Sequence, residues 1–228
     1  AFVILFMAPG NDVRVASEIA TWMPGYKELS VGNHLFMTIQ WMLSSFANEG
    51  KAFFIAIWAA GFILLMKSKK AKVYQILAVV FSVAAILPYA GITFFSEMGI
   101  GDIDIEQCLT ELPTWQSMIT QNRIAFFWWI AAVLFTLVLL WKVTGHSVFI
   151  SMVFLGGIAS EAVLYFSPTI YASGARVYYL TDLMYLFIIL WMVMRMDSEK
   201  KKNLFIAGAA ALGVINFLSQ YSIMLLKL

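Results

Sequence analysis

An all-α, polytopic transmembrane helix bundle follows from three features of this 228-residue chain. Hydrophobic residues make up 62% and charged residues 12%, against roughly 45–50% and 25% in soluble domains. Mean hydropathy is +0.84, more apolar surface than an interior of this size hides. Uncharged runs of membrane-spanning length alternate with short polar turns.

Each span can be justified in order. Residues 1–8, AFVILFMA, are too few to cross a bilayer, which takes about 20. With no basic region before them in the sequence, they are not expected to act as a signal peptide. They are expected to be the outer end of a helix, making 1–228 a single transmembrane domain from the C-terminal part of a longer protein. Ala52–Met66 is short, but Lys51 and Lys67 can snorkel at its ends. Val73–Phe95, Ile124–Trp141 and Leu204–Leu226 are full spans, and Pro88 should kink the first. Ser147–Phe166 and Val177–Met194 each carry one acid, Glu161 and Asp182. That makes six spans plus the stub. Val31–Asn48 mixes apolar residues with His34, Gln40, Ser44, Ser45 and Asn48, and reads as an interfacial or re-entrant helix; a spanning helix is the alternative.

Charge sets the orientation. The turns 67–72, 142–146 and 195–203 hold nine of the fifteen Lys and Arg residues, so they are expected in the cytoplasm. The opposite side receives Glu97, Asp102, Asp104, Glu106 and Glu111. Segments 9–51 (interfacial), 96–123 (an acidic loop) and 167–176 are therefore expected outside the cell membrane. Trp58, Trp115, Trp128, Trp129, Trp141 and Trp191 fit an aromatic belt. Gly208 and Gly213 suit helix packing.

Two external segments carry the residues suited to chemistry. In Ala8-Pro9-Gly10-Asn11-Asp12-Val13-Arg14, Pro9 and Gly10 turn the chain. Asn11 and Asp12 can cap a helix over Val13–Trp22. Arg14 in its first turn opposes the helix macrodipole, which an anionic partner would relieve; contact with lipid headgroups is the simpler reading. In the second segment, residues 167–176, Ser167, Thr169, Tyr171 and Ser173 precede Arg176 at a helix start. Such a set can cradle an oxyanion or phosphate, or form a plain polar turn. Glu161 and Asp182 flank it; an acid in hydrocarbon needs a partner or a wet cavity. Glu161 could pair with Arg176, or either acid could serve acid–base chemistry, as could Asp12.

Other chemistries are expected to be absent. His34, His146 and the single Cys108 lack metal-ligand spacing. Asp102, Asp104 and Glu106 could hold a divalent cation, but a solvated acidic face is the more ordinary use of such a run. No phosphate-binding loop, dinucleotide glycine motif or nucleophile elbow is present, so no cofactor and no nucleic-acid partner are expected.

APGNDVR after an apolar helix, with SPTIYASGAR between two late spans, resembles an uncharacterised family of large bacterial multi-pass membrane proteins. That family is similar to GT-C glycosyltransferases and to the glucosyltransferases that decorate O-antigen and cell-wall polymers. The resemblance implies transfer of a sugar from a polyprenyl-phosphate donor to a cell-envelope glycan on the outer face. It implies Arg14 and Arg176 as lipid-phosphate contacts, with Asn11, Ser167, Tyr171 and Ser173 shaping the pocket. The catalytic base usual in such enzymes lies in a first external loop that has no counterpart here. The rival readings are a transporter or flippase for a lipid-linked or anionic substrate, with Glu161 and Asp182 on its path, and a non-catalytic membrane assembly partner.

Overall fold

The computed structural model describes residues 11–66, 68, 71–87, 123–145, 148–163, 167 and 178–226. Among them the chain is all-helical. Its eight α-helices are α1 (Asn11–Trp22), α2 (Val31–Ser45), α3 (Lys51–Leu65), α4 (Lys72–Ile86), α5 (Arg123–Val143), α6 (Val148–Ala162), α7 (Tyr179–Met194) and α8 (Glu199–Leu226). The six from α3 to α8 fall within or across the six apolar runs. Over the described residues, no helix is long and apolar enough to cross a membrane. Helix α3, with 15 residues, is about 22 Å long at 1.5 Å per residue, against a hydrocarbon core of about 30 Å. The apolar runs Val73–Phe95 and Ser147–Phe166 continue in the sequence past the described ends of α4 and α6.

Helix α3 is the axis of the bundle, packing against α4, α5, α7 and α8. Its apolar residues lie all round the helix, which suits a fully surrounded element. Phe54, Ile57, Trp58 and Ala60 are completely buried. Phe54 meets Trp129, and Trp58 Nε1 donates to Thr136 Oγ1 at 2.8 Å. Gly61 lies against Leu139: a Cβ there would come within 2.7 Å of Leu139 Cδ2. These contacts advance together along both chains, so α3 and α5 run parallel. Phe53 and Phe54 meet Tyr185, and Ile63 and Leu64 lie against Arg195 and Met196, so α7 has the same sense further round. Helix α6 runs against α7, with Phe154 on Tyr185 and Phe149 on Phe187. Gln75 near the start of α4 donates to Leu65 O at the end of α3, making an antiparallel hairpin. One end of the bundle thus collects Lys72, Lys142, Arg195 and Lys200–Lys202, and the other collects Glu161 and Asp182.

Helix α2 begins at Ser30, whose Oγ accepts from Asn33 N–H. It does not stop where the polar residues 48–50 suggest. A π-helical turn over Phe46–Gly50 carries it into α3, with Ser45, Phe46, Gly50 and Lys51 all right-handed helical. The extra residue of a π turn shifts the helix face instead of ending it. Met37, Trp41, Leu43 and Phe46 are buried, and α2 packs on α5 and α6. Met23, Leu29, Met37 and Trp41 form a second apolar cluster, with Tyr26 and Tyr178 against it. The stretch from Met23 to Leu29 and helix α2 therefore lie at the end of the bundle where α7 begins.

Two expectations need correcting. Trp58 and Trp129 are core residues, buried to 0% and 3% exposure, and not belt residues. Their indoles fill the space between α3, α5 and α4, where Phe81 packs on Trp58, Trp128 and Phe135. Gly208 and Gly213 mark no close helix contact, since nothing lies within 4 Å of a Cβ added at either. Pro88, Trp115 and residues 96–122 of the acidic loop lie outside the described residues.

Candidate functional site

The acid that the sequence places inside a span is the centre of a polar cluster. Glu161 on α6 is 1% exposed, and Ser45, the last residue of α2, approaches it: Oγ to Oε2 is 2.7 Å. Ser45 Oγ is also 2.8 Å from Met42 O. One hydroxyl proton thus faces two acceptors, and a serine has only one to give. The π turn begins at the next residue, Phe46. π turns are frequent where a functional side chain must be aimed.

A second hydrogen-bonded knot sits one residue away. Ser160 Oγ donates to Gly157 O at 2.7 Å and lies 2.9 Å from Thr181 Oγ1 on α7. Thr181 Oγ1 is also 3.1 Å from Gly157 O. Gly157 permits this approach: a Cβ there would lie 3.1 Å from Tyr185 Cε1. Tyr185, one turn below Thr181, is 1% exposed, with its ring on Phe46, Phe54 and Phe154. Among the described residues its hydroxyl has no hydrogen-bond partner, and neither has Gln40 Oε1 on α2. An unmade hydrogen bond at a buried atom costs about 1–3 kcal/mol, so the Tyr185 hydroxyl is a ready contact for a water or a ligand hydroxyl.

The other predicted residues are dispersed or outside the described set. Arg14 projects from α1, 76% exposed, and its Nε donates to Glu18 Oε1 at 2.8 Å within the same helix. The anion that relieves its place in the first turn is thus four residues on. The helix begins at Asn11, which is helical and not a preceding cap; the side chains of Asn11 and Asp12 lie outside the described residues. Asp182 is half-buried in the first turn of α7, where the macrodipole favours an acid. Ser167 is half-buried, whereas Tyr171, Ser173 and Arg176 lie outside the described residues, as do Cys108, His146, Asp102, Asp104 and Glu106. Ser45 is one partner of Glu161; the pairing with Arg176 that the sequence allows falls on a residue outside the described set.

Among the described residues, no group of three His, Cys, Asp or Glu side chains could hold a metal ion. Ser45, Ser160, Thr181 and Tyr185 are the site residues that sequence reasoning missed. Their one signal is hydroxyls inside apolar runs, two of them beside the acids. Compared with known protein families, curated proteins and solved structures, the chain matches none.

Proposed function

We propose that this chain is the membrane-embedded part of a sugar transferase of the GT-C kind, taking a polyprenyl-phosphate-linked sugar at the outer face of the cell membrane. The observation that carries this reading is the buried Glu161, held by Ser45 at the end of the bundle where α7 begins. A buried carboxyl at the same end of the bundle as a phenol without a hydrogen-bond partner among the described residues can bind sugar hydroxyls and move a proton. The 167–176 segment leaves α6 just beyond Glu161 and returns at α7 just before Asp182. Its Arg176 is the group proposed to grip the donor phosphate, since a guanidinium holds phosphate oxygens in pairs and keeps its charge. Arg14, on α1, is the second phosphate contact.

The membrane setting draws on the outer surface of the bundle. Val73, Ile76, Val80 and Val83 on α4, Leu186 and Leu190 on α7, and Leu204, Phe217 and Leu218 on α8 are all exposed. Contiguous apolar surface of that kind is costly in water and natural against lipid. The gathering of basic residues at one end matches a cytoplasmic face.

The test uses the full-length protein in its native membranes, with labelled polyprenyl-phosphate sugars as donors. Arg176→Ala and Arg14→Ala should abolish transfer to envelope glycan while insertion and folding persist. Transfer by both variants at the wild-type rate rejects the reading. A transporter of a lipid-linked or anionic substrate is the second reading, favoured by the burial of Glu161 within the bundle; it predicts substrate translocation without label in the glycan.

A further inference from the structure

At the end of the bundle far from Glu161, a pocket of about 140 Å³ opens between the end of α3 and the α7–α8 turn. Ile63 and Leu64 form one wall, and Arg195, Met196, Asp197 and Lys201 form the other. From Thr181 to Arg195 is fourteen residues along one helix, or about 21 Å, so this pocket is distinct from the polar cluster. Its room is well above the ~10–15 Å³ that one water needs.

The guanidinium of Arg195 lies over the Trp191 ring, 4.1 Å from its centroid. That stacking holds the group by its face and leaves its N–H edge for a ligand. Among the described residues Arg195 has no carboxylate partner. Lys201 Nζ lies 3.5 Å from Asp197 Oδ1, a loose contact in which both groups are partly exposed. Lys202 is taken up by Glu199 at 2.7 Å. The three charges lining the pocket sum to one positive. The pocket also adjoins the first turn of the 28-residue α8, whose free N–H groups favour an anion.

We propose that this pocket binds a phosphate group, and that the phosphate is the headgroup of an anionic membrane lipid. Arg195 supplies paired N–H donors, Lys201 a second charge, and Ile63 and Leu64 an apolar wall that suits the glycerol and first acyl carbons. The lipid source rests on the membrane reading above; the phosphate chemistry does not.

The test is thermal unfolding of the purified full-length protein in neutral detergent. Phosphatidylglycerol, phosphatidylcholine or inorganic phosphate is added, for wild type and for Arg195→Gln. Phosphatidylglycerol should raise the midpoint and phosphatidylcholine should not. Arg195→Gln should weaken the apparent phosphatidylglycerol affinity about tenfold, the effect of losing one charge-assisted hydrogen-bonded contact. Protection by inorganic phosphate alone, lost in Arg195→Gln, upholds the anion site and overturns the lipid source. Equal protection by both lipids, or full protection of Arg195→Gln, overturns the proposal. If Arg195→Gln does not fold, Lys201→Gln reads the same contrast.

Discussion

Replacing Ser45 with Ala removes the hydroxyl 2.7 Å from Glu161 Oε2 and leaves a carboxyl that is 1% exposed without that contact. Abandoning a buried polar partner costs about 1–3 kcal/mol. Interhelical hydrogen bonds measured in membranes average about 0.6 kcal/mol, with about 1.7 the largest. The expected loss for Ser45→Ala is therefore about 1–2 kcal/mol. Glu161→Gln should cost less, under about 1 kcal/mol, and the reason is proton accounting. The Ser45 hydroxyl already has Met42 O as an acceptor at 2.8 Å. A side chain at 161 that donates to Ser45 Oγ lets the serine pass its own proton to Met42 O. A neutral carboxyl does this, and so does the amide of Gln. The assay is reversible unfolding in mixed micelles, with the double variant closing the cycle. If Glu161→Gln proves more damaging than Ser45→Ala, position 161 is an acceptor only and the proton-relay reasoning fails.

Three further outcomes are expected. Thr136→Val strands the indole N–H of the fully buried Trp58 and should cost about 1–3 kcal/mol, while Thr136→Ser should unfold like wild type; equal melting of both variants contradicts the contact. Gly61→Ala drives a methyl to within 2.7 Å of Leu139 Cδ2 and should lose about 1–3 kcal/mol by overpacking, recovered in part by adding Leu139→Ala. Arg14→Gln breaks a pair on the surface, in which Arg14 is 76% exposed, so its stability change should stay within about 0.5 kcal/mol; a larger loss in the same unfolding assay means that Arg14 has a structural role.

The helices from α3 to α8 were legible because each follows an apolar run, and lipid or core demands the same composition. What composition cannot show is which side of a helix meets protein. Trp58 and Trp129 look like interfacial anchors by position, yet face neighbours across the bundle. The polar residues Asn48, Glu49 and Gly50 look like the end of a helix. One extra residue accommodated as a π turn keeps the helix running, and that event has no composition signature. Glu161 was legible as an acid in need of a partner. The identity of that partner was not, because Ser45 lies 116 residues away and reaches Glu161 through α2 packing on α6.

Sealed, right-side-out vesicles carrying the full-length protein, given a labelled polyprenyl-phosphate sugar on the outside only, provide the most direct test of the outward-facing site. Wild-type vesicles should label envelope glycan, and vesicles with folded Glu161→Gln should lose nearly all of that label. Equal labelling by the two, or labelling that requires donor on the inside, contradicts an outward-facing site built on Glu161.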